Sequence, residues 1–408
     1  MRGDELIKVE KKKLLFVISN LNIGGPQKSL LALLDNIDYD IFDVDVCVLR
    51  PDGELASFFN KNVNFIDVSE LLTAATLPSE NIVYWLKVLL KQGQYHMFTD
   101  AIISITRHIF LKRNMNQERQ KFWRKHANQL PKFSKEYDLS FGILGLSTYV
   151  IVDLVSSMKK FHWVRSDVRI LNRNTEIDGE YYNFLTGALA VSKKCGEIFE
   201  NMYPHMRSKT EVFYNYIPEN FYNNISFDPS LIKKHDGETT ILTVTRLDPL
   251  KGIELAIEAC RILVNEGINI KWYVLGNGKY RKKVEELIKE KGLQNSFILL
   301  GFQLNTLEFI KNVDIFVHPS RTEGKSNAVD EAKFVGKPIV VTNYDTVSEQ
   351  IENKVTGLVA DMSGKSIASA LKRIIKDEEL QLFLAKNCLN SKDASEQVTE
   401  DFLKLIKE

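Results

Sequence analysis

The sequence predicts an α/β protein built from two doubly wound parallel sheets. Three observations carry this. Short apolar runs alternate with helix-period patterns along nearly the whole chain, as parallel sheets require. The runs fall into two sets, parted by a stretch without clear periodicity at 215–238. And 408 residues exceed what one ordinary domain holds.

In the first set the predicted strands are 14–19, 44–49, 63–68, 139–142, 162–165, 188–192 and 211–214. In the second they are 240–245, 271–275, 297–300, 315–318, 338–342 and 357–360. The domains follow: 1–216, a linker at 217–238 marked by Pro218 and Pro229, then 239–390. A last helix over 391–408 is expected to pack back on the first domain. Residues 71–133 break the alternation and read as a helical insertion with a basic stretch from Arg107 to Lys132. Lys112, Arg113, Arg119, Lys121, Arg124 and Lys125 are interleaved there with Phe110, Phe122 and Trp123. Two readings stand: a solvated helical face with core aromatics, slightly favoured, or a patch that leans on an anionic membrane or lipid phosphate.

Composition narrows the function. A formal charge of +1 argues against a nucleic-acid binder. Four scattered cysteines without CxxC spacing fit reduced thiols and a cytosolic setting, not zinc or a disulfide framework. The early apolar run 14–18 is too short for a secretory signal, and no segment approaches a membrane span, so a soluble or peripheral protein is expected.

The chemistry-bearing residues cluster after predicted strands. Glu323 lies in the loop after the run 314–319, and Glu331 rides the helix that Ser326 or Asn327 can cap. The helix start between the two acids offers backbone N–H groups to a phosphate. Arg246 and Lys251 follow the first strand of the second set. There they are either part of a plain surface turn or a cationic pair for a diphosphate. Gly276-Asn277-Gly278 permits close backbone approach, but Arg281 stands where a dinucleotide fingerprint needs its third glycine. Gly301-Phe302-Gln303-Leu304 closes the next strand. Gly24-Gly25 opens the first helix without the Walker spacing. Arg165 and Asp167 end a strand of the first set. Asp43-Val-Asp45 lies along a strand, not at its carboxyl end, so it reads as a chance match to a metal-binding pattern; no metal is expected.

Taken in order, these segments resemble glycosyltransferase family 4, the retaining nucleotide-sugar transferases of the GT-B fold. The landmarks are Gly24-Gly25, Arg246 with Lys251, Gly276-Asn-Gly278, Gly301-Phe-Gln303, and Glu323/Glu331 followed by Gly336-Lys-Pro-Ile-Val-Val341. The segment Glu323–Lys333 is similar to the branch found in bacterial capsule, exopolysaccharide and wall-polymer clusters. The resemblance implies two Rossmann-like domains facing across a cleft, donor on the second, acceptor on the first. Arg246 and Lys251 would hold the donor diphosphate, Glu323 the donor sugar and Glu331 the ribose. Backbone near Phe302, Gln303 and Leu304 would meet the base, and the amides of Lys325, Ser326 and Asn327 the diphosphate and sugar. Gly24 and Gly25 would face donor phosphates or acceptor.

The implied reaction moves a hexose or N-acetylhexosamine, UDP-linked in the first reading, to a saccharide or polyprenyl-diphosphate-linked acceptor. The enzyme would need no cofactor and would work at the cytoplasmic face of the inner membrane. One departure stands out: many members carry a catalytic histidine where this chain has Arg165, which would stand in the catalytic set with Glu323, Arg246 and Lys251 and could grip an acceptor phosphate, while His162 should point to the opposite face. An inactive, transferase-like binding protein is the alternative, or another GT-B enzyme such as a sugar-nucleotide epimerase.

Overall fold

The computed structural model describes residues 11–50, 53–391, 400 and 402–404. The chain divides into two compact units, 1–214 with 396–408, and 215–395.

The first unit is a seven-stranded parallel sheet. Its strands are β1 (Lys12–Ile18), β2 (Phe42–Val48), β3 (Val63–Ile66), β4 (Tyr137–Ile143), β5 (Ser157–Val164), β6 (Gly187–Ala190) and β7 (Thr210–Val212). They run in the order β3-β2-β1-β4-β5-β6-β7. The central strand β1 is buried on both faces from Leu14 to Ile18, as its unbroken apolar run dictates. Helix α1 (Gly25–Asn36) follows β1, with Pro26 in its first turn, where a missing N–H costs nothing.

Between β3 and β4 the chain makes α2 (Glu70–Ala75), α3 (Ile82–Lys91), α4 (Tyr95–Phe110) and α5 (Met115–His126), which form the expected helical insertion. Phe122 and Trp123 of α5 join the core, so those aromatics of the basic stretch are structural. Helix α6 (Leu146–Leu154) leads from β4 to β5. Phe402, near the carboxyl end, is fully buried against the rings of Phe16, Phe42, Phe141 and Phe213. The terminal segment thus packs on the first unit, while 392–399, 401 and 405–408 of the expected last helix lie outside the described residues.

The second unit is a six-stranded parallel sheet of β8 (Thr239–Val244), β9 (Ile270–Leu275), β10 (Phe297–Gly301), β11 (Ile315–His318), β12 (Ile339–Thr342) and β13 (Leu358–Ala360). Their order is β10-β9-β8-β11-β12-β13. All thirteen predicted strands are present, with ends shifted by a few residues.

The predicted linker differs from expectation. Residues 215–238 belong to the second unit. Phe221 and Tyr222 are buried, and Asn305 Nδ2 donates to the carbonyls of Tyr222 and Ile225. Two large aromatic side chains so close together gain more from burial than from spanning solvent.

A candidate donor site at the switch point of the second sheet

In the second sheet β8 pairs with β9 on one side and β11 on the other. The strand order reverses there, where open parallel sheets place their ligands, and the loops leaving the carboxyl ends of β8 and β11 lie side by side. Those two loops are 245–252 and 319–326, which carry Arg246, Lys251 and Glu323.

Backbone contacts fix the two loops to each other. Arg321 N donates to Leu250 O at 2.9 Å, and Ser320 Oγ to the same oxygen at 3.3 Å. Gly252 makes this possible: its φ is +61°, and a Cβ there would stand 2.1 Å from Pro319 O. The contact delivers Lys251 Nζ to within 2.6 Å of Glu323 Oε1, both side chains largely buried. His318, the last residue of β11, brings Nε2 to 2.8 Å from the same oxygen, while its Nδ1 is buried without a partner among the described residues.

Burial alone would raise the Glu323 pKa. The Lys251 charge and the His318 hydrogen bond outweigh it and draw the carboxyl down to about 2. Glu323 is therefore a fixed anion at any working pH. Sequence reading missed His318 as a site residue, although its place at a strand end five residues before Glu323 was a usable signal.

A second loop braces the first. The Gly276–Gly278 turn after β9 lies against 245–247: Leu247 N donates to Asn277 O at 3.0 Å. A Cβ at Gly276 would meet Thr245 O at 1.9 Å, and one at Gly278 would meet Leu247 O at 2.2 Å. These glycines are needed for loop-to-loop packing. Asn277 uses its side chain on the Gly278 amide. Arg246, at the crest of the braced loop, is exposed.

Past Gly301, Phe302 is exposed, and Gln303 Nε2 turns back to Leu300 O at 3.4 Å; Leu304 is half-buried. The helix Asn327–Phe334 is capped by Ser326, whose hydroxyl accepts from Val329 N. The Ser326 amide already donates to Gln350 Oε1 at 2.9 Å, so of the expected anion-binding amides this one is engaged. Lys325 pairs with Asp330 at 2.8 Å, and Asn327 accepts from Asn215 Nδ2 at 2.7 Å. Glu331 is buried, accepting from Tyr222 Oη at 2.5 Å and Thr306 Oγ1 at 2.8 Å. Thus Lys251 and Glu323 meet directly. Arg246 stands exposed at the start of Lys251's own loop, apart from that contact, and Glu331 has its own hydroxyl partners one helix turn past the cap. Tyr222 and Thr306 were not singled out by sequence.

In the first unit, Arg165 is buried and donates to Ser29 Oγ at 2.5 Å and to Gly25 O at 3.4 Å, with its guanidinium over Trp163. It ties the end of β5 to the Gly24-Gly25 turn. His162 faces the other way, as alternation requires. It is buried beside Tyr182, with Nδ1 2.6 Å from Thr148 Oγ1, and burial pushes its pKa down to about 4. Asp43 and Asp45 on β2 both hold Lys135 at 2.9 Å, which gives the D-x-D match a structural role.

Residues 226–389 match the family described as glycosyl transferases group 1. The amylovoran biosynthesis glycosyltransferase AmsK of Erwinia amylovora is 33% identical over 34% of this chain and 36% of its own length. The putative colanic acid biosynthesis glycosyltransferase WcaL of Escherichia coli K12 is 30% identical over 36% and 38%. The match therefore spans little more than a third of these two relatives. The structure of Anabaena Alr3699/HepE in complex with UDP and glucose superposes with a TM-score of 0.68 at 15% identity, covering 97% of this chain and 100% of that one.

Fold and site together define a two-domain α/β protein of the GT-B class. The chain resembles family 4 glycosyltransferases, and within its second unit residues 226–389 match the glycosyl transferases group 1 family.

Proposed function

We propose that the chain is a retaining glycosyltransferase. It moves a hexose or N-acetylhexosamine from a nucleotide sugar, UDP-linked, to a saccharide or lipid-linked acceptor in bacterial surface polysaccharide synthesis. The observation that carries this is the Lys251–Glu323–His318 contact at the switch point of the second sheet. The names of the relatives support polysaccharide synthesis, and the UDP complex of the structural neighbour supports the donor class.

The chemistry follows from charge. Departure of a nucleoside diphosphate builds negative charge on a phosphate oxygen. Arg246 and Lys251 neutralise it without a metal, as fixed cations aimed at a developing charge. Lys251 is held by Glu323 until a diphosphate competes for it. His318 keeps the carboxylate in place, and Glu323 then turns its free oxygen to a sugar hydroxyl. The diphosphate itself takes the acceptor proton, so retention needs no covalent intermediate on Glu323. Tyr222 and Thr306 hold Glu331 in the rotamer that a ribose diol would find.

The proposed acceptor side includes peripheral membrane contact at the cytoplasmic face. Among the described residues no helix is long and apolar enough to cross a membrane. The α3–α4 pair, however, exposes Val83, Leu90, Tyr95, Ile103, Ile109 and Phe110. From 81 to 118 five cations stand against two acids: Asp100, which Lys125 and His126 hold, and buried Glu118, within 4.0 Å of Arg107, Arg113 and Lys121. A face both apolar and basic suits an anionic lipid surface.

A thermal-shift panel of UDP-, GDP- and ADP-sugars tests the donor class, since a ligand of the native state raises its melting point. UDP-sugars are expected to give the largest shift, and turnover to release UDP with retained anomeric configuration. A chain that binds none of the three donors would contradict the reading.

A further inference from the structure

The first unit has its own pocket, of ≈ 150 Å³, at the carboxyl ends of β1, β2 and β4. It straddles β1 and β4, where the order of the first sheet reverses. The insertion contributes to its wall through Thr76, just after α2, and through Asn116 and Arg119 of α5. Arg50, Arg119 and Arg173 line it, and no carboxylate does.

The three cations are not equally engaged. Arg173 is bound to buried Asp178 at 2.6 Å, and Arg50 reaches the exposed Glu80 at 3.0 Å. Among the described residues Arg119 donates to neutral acceptors, Leu77 O at 2.8 Å and Ser79 Oγ at 2.6 Å. Burial, and then the nearby Arg50, pull its pKa below the usual guanidinium value; Glu80 offsets this in part. Like charges held this close leave the pocket short of negative charge.

Two further features point the same way. Helix α6 starts in the pocket wall after Gly145, which as a glycine has no side chain to cap it. Its partial positive charge is directed at the cavity. On that first turn, Ser147 is 1% exposed, and among the described residues its hydroxyl has no hydrogen-bond partner. A buried hydroxyl without a partner is unfavourable. A ligand oxygen would satisfy it.

We propose that this pocket binds a phosphate or diphosphate group, which Arg119, Arg50, Ser147 and the start of α6 hold, and that the group is the anionic end of the acceptor. That the anion belongs to the acceptor rests on the transferase reading; that the pocket takes an anion does not.

The test uses the full chain with the second-unit site silenced by Lys251→Met and Glu323→Gln. Inorganic pyrophosphate and geranyl diphosphate are titrated calorimetrically into this background. Each is titrated again after adding Arg119→Gln or Ser147→Ala. Both probes, or the prenyl ester more tightly, are expected to bind. Affinity should fall at least tenfold with Arg119→Gln and about threefold with Ser147→Ala. Equal affinities assign recognition to the diphosphate alone, and a tighter ester assigns a lipid-borne one; both support the site. Ser147→Ala should not lower the melting temperature, because it removes a hydroxyl that the fold does not use. That keeps the test open if Arg119→Gln unfolds the insertion. Binding of neither probe, or affinities unmoved by both substitutions, overturns the proposal. Failure of the donor reading would show separately, as UDP binding indifferent to Lys251.

Discussion

At the scale of single residues, the Lys251–Glu323 pair sets two expectations. Removing one partner strands a charge in a largely buried place, at a cost of about 3 kcal/mol by analogy with buried pairs. Lys251→Met should therefore destabilise the protein, and adding Glu323→Gln should recover most of the loss. Donor turnover should fall about 10²–10³-fold in both the single and the double variant, since neither regains the cation. Denaturant melts beside UDP-release assays separate the two effects. A double variant as unstable as Lys251→Met would show that the pair is not what balances the charge.

His162 gives a pH prediction. Its folded pKa of about 4 lies below its ordinary 6.5, so the unfolded chain takes the proton first. Its contribution to stability is whole above about pH 6.5 and is lost as pH falls through 4, roughly 3 kcal/mol in all. His162→Gln should flatten the stability difference across that window. Parallel acid-melting curves for the two proteins would deny it.

Secondary-structure elements and the loops joining them explain why some of the site was legible. Each strand's apolar run and each following glycine mark where a βα loop must lie. Arg246, Lys251 and Glu323 were found because they stand at such ends. Sequence does not show which loop touches which. That follows from the order β9-β8-β11, which brings together residues 72 positions apart. His318 was passed over because a histidine closing a buried strand looks like core. Tyr222 was passed over because its segment lacked periodicity and was read as linker.

Gly252 tests the loop account. Gly252→Ala forces a side chain into a positive-φ position already filled by Pro319 O. It should cost about 1–3 kcal/mol. It should also lower turnover more than Gly267→Ala, at an equally left-handed but open position. If the two variants behave alike by melting and by kinetics, the glycine is not what joins the loops.

At the scale of the whole molecule, the two parallel sheets and all thirteen strands could be read from the alternation of patterns. The division at 214/215 could not, because burial of Phe221 and Tyr222 is a tertiary choice. The near-zero net charge hides an uneven surface, with the α3–α4 face basic and apolar. Sedimentation with phosphatidylglycerol vesicles, but not with phosphatidylcholine ones, is the expected outcome. Replacing Ile109 and Phe110 by Asp should abolish it at unchanged melting temperature. Unaltered sedimentation would remove the membrane from the account.

The central claim is that the loops after β8 and β11 build a seat for a nucleoside diphosphate. Calorimetric titration of UDP into the wild-type chain and into the folded Lys251→Met/Glu323→Gln variant tests it most directly. The account predicts saturable one-to-one binding by the wild type and at least a tenfold loss of affinity in the variant. Equal affinity in the two proteins would contradict it.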